Sequence, residues 1–95
     1  MRLDFRLLVI DDQPGEIEDA IEMLRMSLED KGFRLEVEIA KDISVNGIDA
    51  YCKAEGRNID LAIVDYRLGE EDIDGALAAR TVRRRLKYTD IIFYS

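Results

Sequence analysis

Three carboxylates stand at the ends of two short apolar segments of this chain. Asp11 and Asp12 follow Leu7–Ile10, and Asp65 closes the apolar run that begins at Leu61. Like charges held a few ångströms apart repel one another and raise one another's pKa. A fold that gathers such charges usually provides a cation for them. The pattern therefore predicts a Mg²⁺ (or Mn²⁺) site and phosphoryl chemistry.

Each candidate residue has an expected role at that site. Mg²⁺ takes one or two carboxylates directly and keeps several waters, so Asp12 and Asp65 are the predicted direct ligands. The backbone oxygen of Arg67 is a possible third ligand, and Asp11 is expected to hold a metal-bound water. Asp65 can also attack phosphorus as a nucleophile and form an aspartyl-phosphate. Ser95 is placed to donate its hydroxyl to a phosphoryl oxygen.

Composition excludes several other kinds of site. The chain has no histidine and one cysteine, Cys52, which argues against zinc and fits a reducing, cytoplasmic location. A net charge of −7 makes non-specific nucleic-acid binding unfavourable. No apolar run approaches the roughly 20 residues of a membrane span, so we expect neither a membrane nor a nucleic-acid partner for this segment.

Other conspicuous residues have ordinary explanations. A basic cluster is expected to be the solvated face of a helix, with binding of nucleic acid or an acidic partner as the alternative: Arg80, Arg83, Arg84, Arg85 and Lys87. Cys52 is predicted to be a small, semi-buried, unreactive residue. Met23 and Met26 are predicted to lie in the core or at its rim. Tyr66 and Tyr94 either gate the acidic site or simply pack.

Strand and helix patterns alternate along the chain and must position these side chains. The predicted strands are 7–10, 35–39, 59–65 and 91–94, and the predicted helices are 14–31, about 47–54 and 75–86. The second strand alternates apolar and acidic residues, which is typical of an edge strand. A β-α-β-α-β-α-β order predicts one α/β domain, spanning residues 1–95, with a parallel sheet between helices. Ligands of such sheets bind at the carboxyl ends of the strands.

Four segments, in this order, resemble the receiver domain of two-component response regulators. They are Val9-Ile10-Asp11-Asp12, then 60–68, Asp74-Gly75, and Ile91-Ile92-Phe93-Tyr94-Ser95. The resemblance covers essentially all 95 residues, and the 30 positions from Asp65 to Ser95 are similar to the family's spacing. It implies a flavodoxin-like, doubly wound parallel sheet with strand order 2-1-3-4.

The resemblance also implies roles. Asp65 would be the phosphoacceptor, Asp11 and Asp12 the acidic metal pair, Arg67 the source of a backbone oxygen for Mg²⁺, and Ser95 the hydroxyl that senses the phosphoryl group. A histidine kinase or phosphotransfer protein would be the donor. Such a domain is a signalling element and not an enzyme, beyond Mg²⁺-dependent self-phosphorylation and autodephosphorylation. Nucleic acid would be contacted only by a separate output domain.

The sequence departs from the family pattern in ways that define a second hypothesis. A receiver normally continues into a fifth strand, which ends in a lysine, and further helices, so we expect a truncated receiver, incomplete at its C-terminal end. Residues 91–94 would then form an exposed edge strand, which predicts a homodimer. The alternative function is a truncated or degenerate receiver that acts as a dimerisation or interaction module without phosphorylation.

A third hypothesis is a metal-dependent phosphatase with an aspartate nucleophile. Such enzymes usually carry a second acid two residues after a nucleophile on the first strand. The segment Asp11-Asp12-Gln13-Pro14 lacks it, so this hypothesis has the least support.

Overall fold

Alternating strands and helices make up the computed structural model, which describes residues 3–40, 42–55, 59–65 and 75–94. The elements are β1 (Leu3–Ile10), a 3₁₀ turn (Pro14–Ile17), α1 (Glu18–Asp30), β2 (Phe33–Ile39), α2 (Val45–Glu55), β3 (Leu61–Asp65), α3 (Gly75–Arg85) and β4 (Asp90–Tyr94). Within the described ranges, none of the helices combines the length and apolar character that crossing a membrane requires.

The four strands form one all-parallel sheet in the order β2-β1-β3-β4. This confirms the predicted α/β class, the strand order and the position of β2 at an edge. The chain leaves β1 in one direction to reach β2 and later returns past β1 to reach β3. The strand order therefore reverses between β1 and β3, and this point is where ligands of doubly wound sheets bind.

The helices cover the two faces of the sheet and create two apolar cores. On one side α1 packs over a core that includes Leu7, Val9, Ile63 and Leu35. Its contacts come from one helical face, Ile21, Leu24 and Leu28, together with Ile17 of the preceding turn. On the other side α2 and α3 pack over a core formed by Leu8, Ile10, Ala62, Val64, Ile48, Cys52, Ala78 and Val82. Alternate residues of β1 and β3 thus serve opposite faces, as a strand period of two requires.

β1 is longer than the sequence indicated. Its first half pairs with β2, and only its second half, residues 7–10, also pairs with β3. Leu3 lies opposite Phe33, four positions before the predicted start of the strand at Leu7. Two pairs of opposite charge are direct register partners: Asp4 with Arg34, and Arg6 with Glu36. Their ion-pair distances are 3.1 and 3.7 Å. Cross-strand charge pairs of this kind favour pairing where little apolar surface is buried.

Local signals set the ends of the first two helices. Gly32 has φ +88°, a conformation that favours glycine, and it follows the C-cap residue Lys31, where the predicted helix 14–31 ends. Pro14 opens a 3₁₀ turn and the α-helix itself begins only at Glu18. The second helix begins two residues before the predicted Gly47, because the Ser44 hydroxyl accepts a hydrogen bond from the Gly47 N–H at 3.0 Å and caps it.

Met23 and Met26 do not lie in the core. They are 71% and 62% exposed, because they fall outside the stripe of α1 that faces the sheet. The prediction of a core position for these two residues was wrong.

Candidate metal centre

Strand register places three polar side chains in one row at the end of the sheet where the strands finish, which we call the carboxyl edge. The last β1–β3 pair is Ile10 with Val64, so Asp11 comes next to Asp65, and Asp65 pairs with Tyr94 of β4. Register partners in a parallel sheet point to the same face. Val9 and Ile63, two residues earlier, pack in the α1 core, and the row therefore lies on the α1 side of the sheet.

Asp11, Asp12 and Asp65, here called the acidic cluster, come close together at this edge. One carboxylate oxygen from each lies within 4.8 Å of the others. Asp11 is buried at 3% exposure, Asp65 is half-buried and Asp12 is exposed. Two unit charges about 5 Å apart repel by about 0.8 kcal/mol even in a water-like dielectric. The convergence predicted from the strand ends is confirmed, and it costs folding free energy in the absence of a cation.

Asp11 is held at both of its carboxylate oxygens. Oδ1 accepts a hydrogen bond from the backbone N–H of Gln13 at 2.9 Å, and Oδ2 accepts one from the Tyr94 hydroxyl. Burial would raise the pKa of Asp11, but these hydrogen bonds favour the charged form and lower it below its ordinary value. Asp11 is therefore an anion held in place by two hydrogen bonds.

Tyr94 links β4 to the acidic cluster through its hydrogen bond to Asp11. Burial raises the pKa of its phenol above the ordinary value, and the hydrogen bond to Asp11 and the negative charges of Asp11, Asp65 and Glu16 raise it further. The hydroxyl stays protonated and acts as a donor. A tyrosine side chain is long enough to reach from β4 over β3 to the end of β1, a distance of about two strand spacings or 9.6 Å between backbones.

The acidic cluster fits a hard divalent cation. Its donors are all carboxylate oxygens, which suit Mg²⁺ and Mn²⁺ rather than softer metals. Oxygens on opposite sides of one Mg²⁺ lie about 4.2 Å apart, close to the observed spread. A small side-chain rotation or one bridging water accommodates the difference.

Some predicted site residues fall outside the described part of the chain, and some residues near the site were not predicted. Arg67, Ser95 and the acidic loop 66–74 lie outside the described residues. Two residues close to the acidic cluster were not assigned to it from sequence: Glu16, in the turn after β1, and the N–H of Gln13. For Tyr94 the sequence left packing and gating equally open, and its hydrogen bond to Asp11 follows from a register that sequence spacing alone did not fix.

The side chains outside the cluster agree with their ordinary explanations. Cys52 is buried, and burial raises the pKa of its thiol to about 11, so it is unreactive at neutral pH. The basic residues of α3 are exposed. Arg85 forms a two-bond ion pair with Asp49 of α2, at 2.8 and 3.1 Å.

The opposite end of the sheet, the amino edge, carries a broad depression of about 860 Å³. Its floor is apolar and includes Ile59 and Leu86, and its rim mixes acids and bases. Asp60 at this edge already accepts a hydrogen bond from the Arg6 N–H at 2.8 Å. None of the three residues of the acidic cluster lines this depression, and the charges around it are of both signs.

Comparisons with protein-family models, curated proteins and solved structures found no match to this chain. The arrangement offers a half-buried carboxylate, Asp65, beside two further acids at the point where the strand order reverses. Such a group can bind a divalent cation, and Asp65 can act as a nucleophile.

Proposed function

We propose that this chain is a phosphoacceptor receiver domain of a two-component response regulator, with Asp65 as the acceptor. The observation that carries the proposal is the meeting of Asp11, Asp12 and Asp65 within 4.8 Å. They lie at the carboxyl edge, at the reversal of strand order between β1 and β3. The resemblance of the sequence motifs to the receiver family supports the same function.

In the proposed reaction a carboxylate oxygen of Asp65 attacks the phosphorus of a phosphohistidine on a kinase or phosphotransfer protein. A phosphorus–oxygen bond forms, the phosphorus–nitrogen bond breaks, and its electron pair returns to the imidazole. Asp65 is half-buried, so one side of the carboxylate can reach a donor. Asp11 contributes a fixed negative charge beside it.

Mg²⁺ (or Mn²⁺) is the proposed cofactor. Asp12 and Asp65 would bind it directly, Asp11 would act through a water, and the backbone oxygen of Arg67 is proposed as a further ligand. When bound, the ion neutralises charge that develops on the phosphoryl oxygens. Ser95 keeps its proposed role as the hydroxyl that senses the phosphoryl group.

A cytoplasmic location belongs to the same proposal. The single cysteine is a free, buried thiol. A reducing compartment is where such a protein and its phosphohistidine donor are expected.

The test is phosphorylation by a small-molecule donor. The chain is incubated with acetyl phosphate and Mg²⁺, and intact-mass spectrometry measures the gain of one phosphoryl group. Asp65→Asn should abolish the gain. Asp60→Asn, five residues away at the amino edge, is the matched control and should be modified like the wild type. Equal modification of the Asp65→Asn variant would assign the phosphoryl group elsewhere and reject the proposal.

A second function, an interaction module, is favoured by the exposure of β4. This strand forms one edge of the described sheet, and Ile92 and Phe93 are 52% and 46% exposed. Ile92 pairs with Ile63, so it faces the α1 side, and Phe93 faces the other side. An edge strand with apolar side chains exposed on both faces is a template for pairing with a second chain, and we propose a homodimer through β4.

Light scattering over a range of protein concentrations tests this second function. A dimer through β4 should be weakened by Ile92→Lys, which puts a charge on the exposed face of the strand. Met23→Lys, at a more exposed position on α1, is the control and should leave the dimer intact. A wild-type protein that stays monomeric at every concentration removes the support for the homodimer.

A further inference from the structure

We propose that the Tyr94 hydroxyl and a divalent cation, acting through its bound water, compete for the carboxylate of Asp11, so that Tyr94 sets the affinity of the acidic cluster for the cation. The inference rests on the proposed function, because it takes the acidic cluster to be a cation site. It adds to that function a residue outside the carboxylates that controls when the site is filled.

The first support is the geometry of Asp11. Its two oxygens already accept hydrogen bonds, Oδ1 from the Gln13 N–H and Oδ2 from the Tyr94 hydroxyl. The Gln13 bond is local and belongs to the turn after β1. The Tyr94 bond comes from the far side of β3 and enters the space between Asp11 and its row neighbour Asp65. It is the bond that a cation bound between these carboxylates would disturb.

The second support is electrostatic. A phenol donor partly neutralises one of three neighbouring carboxylates, which stabilises the cluster without a cation. A divalent ion does the same much more strongly, and its bound water would donate to the Asp11 oxygen that the phenol uses. Removing the hydroxyl therefore destabilises the cation-free state more than the bound state. Cation affinity should rise when the hydroxyl is lost.

The third support is the position of Tyr94 at the sheet edge. β4 has the other described strands on one side only. Ile92, the preceding residue on the same face, is 52% exposed. The Tyr94 ring is itself only half-buried, so it can leave Asp11 without displacing a fully buried core residue.

A different role for Tyr94 predicts the opposite change in cation affinity when the hydroxyl is lost. If the hydroxyl merely orients Asp11 for the cation, its loss lets the carboxylate rotate away and weakens cation binding. The two roles are separated by a variant that keeps the ring and removes only the hydroxyl, Tyr94→Phe. Tyr88→Phe is the matched control, because Tyr88 is 97% exposed at the amino edge.

The experiment is calorimetric titration of the wild type, Tyr94→Phe and Tyr88→Phe with Mg²⁺ alone. Tyr94→Phe should bind Mg²⁺ about tenfold more tightly than the wild type, the effect expected from a hydrogen bond to a charged group. Tyr88→Phe should match the wild type. Circular dichroism of the three proteins confirms that the fold is retained.

Tyrosine fluorescence provides a second readout. The chain contains no tryptophan and four tyrosines, so tyrosine emission is visible. A phenol hydrogen-bonded to a carboxylate emits weakly. Mg²⁺ should therefore increase the emission of the wild type and of Tyr88→Phe as Tyr94 is released, and should leave Tyr94→Phe unchanged.

Each outcome decides something different. Equal Mg²⁺ affinity of wild type and Tyr94→Phe, or weaker binding by Tyr94→Phe, overturns the competition while leaving the cation site and the proposed function intact. Absence of Mg²⁺ binding in all three proteins overturns the cation site itself, and the competition with it. Tighter binding by Tyr94→Phe together with the fluorescence change supports the inference.

Discussion

Charged side chains are arranged differently at the two edges of the sheet. At the carboxyl edge, Asp11, Asp12 and Asp65 bring like charges within 4.8 Å of one another. At the amino edge, charges are satisfied locally: Asp60 accepts the Arg6 N–H, and Arg85 bonds Asp49. Both edges belong to the same four strands, so the strand framework does not impose the difference.

This contrast separates charges that oppose folding from charges that support it. Neighbouring like charges lower the stability of the folded state, and perturbed groups of this kind concentrate at functional sites. Opposite charges and hydrogen bonds at the amino edge contribute only to folding. Removing an acidic charge at one edge should therefore have the opposite effect on the free energy of unfolding from removing one at the other.

The largest expected effect is stabilisation by Mg²⁺. A ligand that binds only the folded state should stabilise the wild type by about 1–3 kcal/mol at concentrations well above Kd. For a domain of this size that corresponds to a rise in Tm of roughly 4–8 °C per kcal/mol. Thermal melting with and without Mg²⁺ measures it. Asp12→Asn should lose most of the rise and Asp60→Asn should keep it; equal rises in the two variants would contradict the contrast between the edges.

The next largest effect is expected at the amino edge. The buried hydroxyl of Thr89 donates to the carbonyl of Ile59 at 2.8 Å. Thr89→Val keeps the shape and removes this bond, which should cost about 1–2 kcal/mol of unfolding free energy. Denaturant unfolding measures the loss, and Mg²⁺ affinity should not change. Thr89→Ser, which retains the hydroxyl, is the control for the bond, and a Val variant as stable as the wild type would show that this bond contributes nothing.

A smaller effect of opposite sign is expected from removing one charge of the acidic cluster. Asp65→Asn should raise the unfolding free energy without Mg²⁺ by about 1 kcal/mol, because it relieves repulsion from two neighbouring carboxylates. Asp60→Asn should lower stability, since it weakens the acceptor for the Arg6 N–H. Unfolding in low-salt buffer compares the two. Destabilisation by both variants would mean that the acidic cluster is not strained.

The smallest effect is expected for the ion pair between α2 and α3. The hydrogen bond from Arg85 lowers the pKa of Asp49 below its ordinary value, so the pair stabilises the fold at neutral pH. That contribution should disappear as the pH falls through the lowered pKa. The Arg85→Ala variant should therefore converge on the wild type in acid when Tm is followed against pH. A constant difference across the whole pH range would assign the effect of Arg85 to packing instead.

Much of the fold follows from local patterns in the sequence. Leu7–Ile10 and Leu61–Val64 are short apolar runs typical of a buried strand, and Gly32 marks the end of the first helix. The acidic cluster follows from the same reasoning, because acids directly after parallel strands must meet at one edge. These features depend on chain order and strand ends alone.

The features that sequence reasoning missed depend on register and on long-range contacts. The bond from Tyr94 to Asp11 requires that β4 align Tyr94 with Asp65, and the lengths of the connecting segments do not determine that alignment. The first half of β1 was missed because Asp4 and Arg6 break its apolar pattern. Their partners on β2 appear only when the two strands are paired.

Those same charge pairs have a consequence for how β1 aligns with β2. If β1 slipped by two residues against β2 in one direction, Asp4 would face Glu36; in the other direction, Arg6 would face Arg34. Either slip sets like charges against each other. The pairs thus disfavour a two-residue shift of β1 along β2 and help to keep the edge strand aligned with the strand that leads to Asp11 and Asp12.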